Sequence, residues 1–198
     1  MARIKISKEE SRKELIIRSA ATLFRKKGFK AASMRSLAEE VGVEASSLYN
    51  HIHSKPIILK EICFQVASQF LNEIQKIEES GASTLENVES LIRFHIRQMI
   101  ENFEKVYVSD REWRYLQEPF LSQFREQRRL YRKRFAQIIQ DGIDRGQITQ
   151  IDPATAVLIM LHAIGGIEAW HRSKNKISGR ELEENMVAIL INGLKMKI

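Results

Sequence analysis

Helical periodicity, renewed after each start signal, constrains this chain more than any other feature. Ser7 with Glu10 has capping-box spacing and opens a segment whose Ile16, Ala20, Leu23 and Phe24 share one face, with Gly28 to end it. A second segment starts after Ser33, carries Leu37, Ala38 and Val41, and stops at Gly42; a third covers about Ala45 to His51. Ser54 caps a long helix with Pro56 in its first turn and the stripe Leu59, Ile62, Cys63, Val66, Phe70, Ile74 and Ile77. Ser83 with Glu86 opens the next, through Leu85, Val88, Ile92, Ile96, Met99 and Phe103. Pro119 breaks the chain before a helix through Phe124, Tyr131, Phe135 and Ile138 to Gly142. Asp152-Pro153 then starts a helix apolar nearly all round, and Ser178 with Glu181 caps a last one bearing Leu182, Met186, Ile189, Leu190 and Leu194. No period-two pattern competes, and three Pro with nine Gly are too few for a loop-rich β chain. The expectation is eight or nine helices and no sheet.

Net charge is +7, and its placement says more than its size. Residues 1–60 hold 13 Lys/Arg against 6 Asp/Glu, giving 13 − 6 = +7, while residues 61–198 hold 19 of each. A basic first third with a neutral remainder is the footprint of a module that attaches to phosphates. The single cysteine, Cys63, allows no internal disulfide and no Cys-rich zinc site, and its place in an apolar stripe makes it a small core residue. Met1-Ala-Arg-Ile-Lys has no apolar run behind its charges, so no signal peptide is expected. The longest uncharged stretch, Ala154 to Ile167, falls short of the ~20 residues of a membrane span. A cytoplasmic protein without a membrane association is expected.

The stretch from Ser33 to Pro56 carries the function. It makes two helices of about two turns joined at Gly42, which takes the positive φ that a sharp turn requires. Leu37, Ala38, Val43 and Leu48 pack this pair on the first helix, and the second short helix turns Ala45, Ser46, Ser47, Tyr49, Asn50 and His51 outward. Small residues at the helix start let the backbone approach base edges, while hydroxyl, amide and imidazole groups reach bases or phosphates. Arg35 and Lys55 flank the motif as phosphate anchors, and Ser33 and Ser54 stand at helix N-termini, which also favour phosphate.

Leu48-Tyr-Asn-His-Ile-His-Ser-Lys55 resembles the recognition helix and following turn of TetR-type regulators. Ala20-Ala-Thr-Leu-Phe-Arg-Lys-Lys-Gly-Phe29 resembles that family's first helix, and Ser36-Leu-Ala-Glu-Glu-Val-Gly-Val43 its second, so the likeness runs over about residues 9–65. Ile52 departs from the pattern where the family often has Phe. The resemblance implies an all-α fold, with an N-terminal three-helix, helix-turn-helix DNA-binding domain (residues 1–55) and a C-terminal helical effector-binding and dimerisation domain (residues 56–198). It implies DNA contacts from Tyr49, Asn50 and His51, with Ala45, Ser46 and Ser47 at the groove and Ser33, Arg35 and Lys55 on the backbone.

The rest of the chain has no motif of comparable specificity. The resemblance implies a dimer face, which the last two long helices can supply through Leu158, Leu161, His162, Gly165, Met186, Ile189, Leu190 and Gly193. It also implies a small-molecule pocket, and the aromatics and Met of the middle helices are the candidates: Phe70, Phe94, His95, Met99, Phe103, Trp113, Tyr131 and Trp170. Tyr115, Phe120 and His162 join that wider set. Arg111-Glu-Trp-Arg-Tyr-Leu116, the basic run Arg125 to Arg134, Gly142 to Gly146 and Trp170 are similar to the fatty-acid and steroid-degradation branch, whose members respond to acyl-coenzyme A thioesters. A basic helix beside an apolar pocket suits a phosphate-bearing head with an acyl tail.

These readings combine into a repressor that binds a palindromic double-stranded DNA operator as a homodimer and is released by a small hydrophobic effector. Two heads must span half-sites about one helical turn apart, ~34–36 Å. Release then needs an effector preference of about 1–3 kcal/mol for the non-binding spacing. Two rivals remain: an architectural DNA-binding protein without an effector, and a helical-bundle enzyme. Glu168-Ala-Trp-His171 has the Glu-x-x-His spacing of di-iron bundles, which need two such motifs and two further Glu. Only one is present, so no metal and no cofactor are expected.

Overall fold

The computed structural model describes residues 12–173 and 176–194. The expected Ser7–Glu10 capping box lies outside the described residues. The described residues form ten α-helices and one 3-10 turn, with no strand among them: α1 Arg12–Lys27, α2 Met34–Val41, α3 Ala45–Tyr49, α4 Lys55–Glu78, α5 Thr84–Glu101, α6 Phe103–Arg111, a turn at Trp113–Tyr115, α7 Phe120–Asp144, α8 Pro153–Gly165, α9 Ile167–Arg172 and α10 Gly179–Asn192. The start signals read from the sequence act as expected at α5, α8 and α10. Ser83 accepts from the Glu86 N–H, Asp152 from Thr155 and Ser178 from Glu181.

Two helices, α6 and α9, are not among the segments that the sequence marks. Phe103 was read as the end of the α5 stripe, but Asn102 leaves the helical region at φ −116°, ψ 31°, and Phe103 opens α6. Neither Gly nor Pro marks that break. At the other, Gly165-Gly166 separates α9 from α8.

The chain divides into two compact units. The first joins the residues up to Ala67 with Glu104–Arg125; the second joins Ser68–Phe103 with Glu126 onward. The two long helices α4 and α7 each contribute residues to both.

The first unit packs α1 to α3 around Ile16, Ala20, Phe24, Leu37, Leu48 and Ile52, and closes over them with Leu59, Ile62 and Cys63 of α4. Val108, Leu116 and Phe124 complete this core, so α6 and the turn after it belong with the helix-turn-helix. In the second unit α5 is central, with α8, α9 and α10 packed on it. Its Val88, Leu91, Ile92 and Ile96 are fully buried. Gly142 permits a close approach there: a Cβ at that position would stand 2.6 Å from Ile148 Cδ1 and 2.9 Å from Thr84 Cγ2.

Candidate nucleic-acid interface

Local rules build the α2–α3 hairpin. Ser33 Oγ accepts from the Ser36 N–H at 3.0 Å, and Ser36 Oγ accepts from the Ser33 N–H at 3.0 Å. This reciprocal cap starts α2 and spends two N-terminal donors within the protein. Gly42 ends the helix at φ 76°, ψ 38°, and its N–H and that of Val43 both reach the Ala38 carbonyl, at 2.9 and 3.0 Å.

Leu48 and Ile52, one turn apart, are buried and hold α3 against the core. α3 itself ends at Tyr49, and the N–H groups of His51 and Ile52 close one more turn on the Leu48 carbonyl. The opposite side is open: Ala45, Ser46, Asn50 and His51 are exposed, Tyr49 is 46% exposed, and Ser47 is half-buried. Arg35 stands in solvent, with an ion pair to Glu39 at 3.4 Å. Such a pair in water is weak and exchangeable for a phosphate.

Lys55 is different from the expectation. Its Nζ donates to the carbonyls of Phe29 (2.7 Å), Lys30 (3.2 Å) and Ala32 (2.7 Å) and lies 4.5 Å from the Phe29 ring centroid. An ammonium has three N–H donors, and all three are used within the protein. Lys55 therefore clamps the α1–α2 turn to the start of α4 and has no donor to offer a phosphate.

The same turn is held from a second direction, which sequence reasoning missed. The Phe29 N–H donates to Glu112 at 3.2 Å, and the Phe29 ring stacks on Tyr115 at 5.6 Å and meets Phe24 edge-on at 5.2 Å. Lys30 lies over Tyr115, and Arg25 pairs with Glu104 at 3.6 Å. No periodicity links Phe29 to Glu112 across 83 residues of sequence. The Arg111–Leu116 segment thus supports the hairpin's base. Trp113, expected near a ligand, packs in this unit against Phe124 at 6.2 Å.

In the second unit Phe70, Phe94, His95 and Tyr131 do come together. The Phe70 centroid lies 5.0 Å from Phe94, 4.6 Å from His95 and 5.7 Å from Tyr131, and Phe135 backs the group at 6.4 Å from both His95 and Tyr131. His95 Nε2 and Tyr131 Oη share a 2.7 Å hydrogen bond. Burial, with a smaller contribution from Glu73, pushes the Tyr131 hydroxyl well above its ordinary value, so it stays protonated in that hydrogen bond.

Met99, Phe103 and Trp170 stand around His171, which stacks on Phe103 at 3.9 Å and donates from Nε2 to the Met99 carbonyl at 2.7 Å. Trp170 adjoins His171 at 4.9 Å and donates to the Ile177 carbonyl at 2.9 Å. Of the basic run of α7, Arg129 and Lys133 fall at 100° per residue on the side away from Tyr131 and Phe135 and are exposed, whereas half-buried Arg128 falls on the same side as those two aromatics. Arg134 is engaged with Glu78 at 3.0 Å.

α8 and α10 leave an apolar face uncovered. Leu158 (57%), Ile159 (58%) and Ile189 (73%) are strongly exposed, while Leu161, Met186 and Leu190 are half-buried. His162 is exposed, its Nδ1–H donating to the Leu158 carbonyl at 2.8 Å, and Gly165 and Gly193 are exposed beside them. Arg97 and Arg93 of α5 grip buried Glu183 of α10 at 2.8 and 3.1 Å. Burial raises the Glu183 carboxyl, but the hydrogen bonds and charges of those arginines outweigh it and hold it below the usual carboxylate range. Pro153–Arg172 together reach the length and hydropathy of a membrane span, against expectation. The segment is two helices parted at Gly165-Gly166, with a Glu168–Arg172 ion pair at its end.

The family model for the TetR family of bacterial regulatory proteins matches residues 16–62, and that for the tetracyclin repressor-like C-terminal domain matches residues 81–194. The chain belongs to the TetR family. It is a helix-turn-helix transcription regulator, and an enzymatic role for the bundle is set aside. Among TetR-family relatives it is similar to the HTH-type transcriptional repressor KstR2 of Mycolicibacterium smegmatis, 23% identical over 190 residues that cover 95% of this chain and 93% of the relative. Its fold matches the ketosteroid transcriptional regulator KstR2 of Mycobacterium tuberculosis (20% identity, TM-score 0.87, all of both chains). It also matches AibR, solved in complex with isovaleryl coenzyme A and operator DNA (19% identity, TM-score 0.79, 91% of this chain and 98% of that one).

Proposed function

We propose that this TetR-family regulator is a repressor that binds a palindromic operator as a homodimer and leaves it when an acyl-coenzyme A thioester binds. One observation carries the DNA contacts: Leu48 and Ile52 anchor α3, while the small and hydrogen-bonding residues of its other side stay open to solvent. Ala45, Ser46 and Ser47 admit the backbone of α3 to the major groove; Tyr49, Asn50 and His51 read bases or hold phosphates; Ser33 and Arg35 grip the flanking strand. Lys55 serves the site through the turn it clamps. Residues 1–55 act as the reading head and 56–198 as the effector and dimerisation domain, with Glu112 and Tyr115 bracing the head.

The uncovered face of α8 and α10 is the dimer face. Leu158, Leu161, His162, Gly165, Met186, Ile189, Leu190 and Gly193 meet their counterparts there, and a Cβ at Gly165 would find only open space within the chain. A patch of this kind on a lone protomer is what a partner subunit covers. The aromatic group around His95 and Tyr131 is the effector site, and AibR's coenzyme A ligand supports the thioester class.

Fluorescence polarisation with DNA from the protein's own upstream region tests this reading. Octanoyl-coenzyme A should lower the bound fraction, while free coenzyme A and octanoate should not. DNA binding that no acyl-coenzyme A affects would leave an architectural role, and absence of any sequence-specific DNA binding would refute the regulator reading of α3.

A further inference from the structure

Gln127 stands one turn before Tyr131 on α7, on the same side of the helix as Tyr131, Phe135 and Ile138. Its residue is half-buried, yet the amide oxygen Oε1 is closed off from solvent and accepts no hydrogen bond. Of its neighbours on this side of α7, the Tyr131 hydroxyl is hydrogen-bonded to His95, and the side chains of Phe135 and Ile138 have nothing to donate. A buried acceptor without a donor destabilises the folded chain, and a fold keeps such a group where something else requires it.

We propose that Gln127 is the effector-recognition residue of the second unit, its amide oxygen accepting a hydrogen bond from a hydroxyl or amide N–H on an otherwise apolar ligand. The inference rests on the reading of that unit as the effector domain. It deepens it by giving the ligand a donor group, which a plain hydrocarbon or a carboxylate lacks. The pantetheine arm of an acyl-coenzyme A carries two amide N–H groups of the required kind, so the thioester class satisfies the requirement without being demanded by it.

Three probes separate the two readings: octanoyl-coenzyme A, 1-octanol, and heptyl methyl ether, the last an isomer of octanol with the acceptor retained and the donor lost. Binding is measured by intrinsic tryptophan fluorescence on the full chain and on Gln127→Met, which keeps an unbranched side chain of similar volume. The wild-type protein should prefer octanol to the ether by about tenfold, and Gln127→Met should abolish that preference. The ligand-free variant should melt about 2–4 °C higher, because it loses an unsatisfied acceptor. A structural role for Gln127 gives the opposite sign in melting and no donor preference. If octanol is preferred but octanoyl-coenzyme A does not bind, the thioester class falls and the Gln127 assignment stands. Equal binding of octanol and ether by the wild type, absence of binding by both included, or a preference that survives in Gln127→Met, overturns the assignment whatever octanoyl-coenzyme A does.

Discussion

Replacing Lys55 with Met separates two roles that one lysine could have. The structure makes it a clamp with three carbonyl acceptors at 2.7, 3.2 and 2.7 Å and an aromatic face at 4.5 Å. A hydrogen bond from a charged donor contributes about 1.5–3 kcal/mol when its loss strands a buried partner. Phe29 and Ala32 are buried, while Lys30 is exposed and its carbonyl can turn to water, so two of the three bonds count in full. The cation–π contact adds about 0.5–1 kcal/mol. Met keeps most of the aliphatic stem in place, and relaxation returns some water to the turn. A net loss of about 2–4 kcal/mol is expected in urea denaturation. The second readout is the salt dependence of operator binding. A phosphate contact steepens the plot of log K against log salt by about 0.9, so a dimer losing one contact per subunit would become shallower by 2 × 0.9, about 1.8. The clamp predicts weaker binding at every salt concentration with an unchanged slope. A variant within about 0.5 kcal/mol of wild-type stability whose slope falls by about 1.8 would refute the clamp and restore Lys55 to the phosphate backbone.

Arg35→Ala should give the reverse pattern: unchanged stability and a slope shallower by about 1.8 per dimer, read in the same titration. Ile189→Glu places a charge in the middle of the proposed dimer face and should convert the dimer to a folded monomer in sedimentation velocity, with operator binding lost; a dimer that persists would put the interface elsewhere. Glu183→Gln should destabilise the protein by about 1–2 kcal/mol at pH 7, a figure reduced because Arg97 is more than half exposed. The native carboxyl sits below its unfolded value, so its contribution is complete above about pH 4.3 and is lost as pH falls through the depressed value. The gap between wild type and variant should therefore close in acid, and a gap that is constant from pH 7 to pH 3 would exclude the ion pair as its source.

Most of the fold was legible because local chemistry determines it. The Ser83–Glu86 box, Asp152 before Pro153 and Gly42 at positive φ each carry their instruction within a few residues. The reading helix was legible for the same reason: Leu48 and Ile52 must be buried, which leaves Tyr49, Asn50 and His51 outside. What escaped depends on contacts distant in sequence. Nothing near Lys55 announces that three carbonyls from the α1–α2 turn will surround it, and nothing near Glu112 points to the Phe29 amide. The α5–α6 break at Asn102 lacks the usual punctuation, and Phe103 has the spacing to continue the stripe it leaves. The partners of the aromatic candidates were not legible, because spacing on a helix gives a face but not the neighbour that covers it: His95 with Tyr131, His171 with Phe103, and Trp113 with Phe124.

The central claim is that two copies of this chain read DNA through α3, and selection of bound duplexes from a random library tests it most directly. The account predicts enrichment of an inverted repeat with half-site centres about one helical turn apart, ~34–36 Å, a preference that Asn50→Ala relaxes and Tyr49→Ala abolishes. Recovery of no common sequence, or of a single unrepeated site bound equally well by both variants, would contradict it.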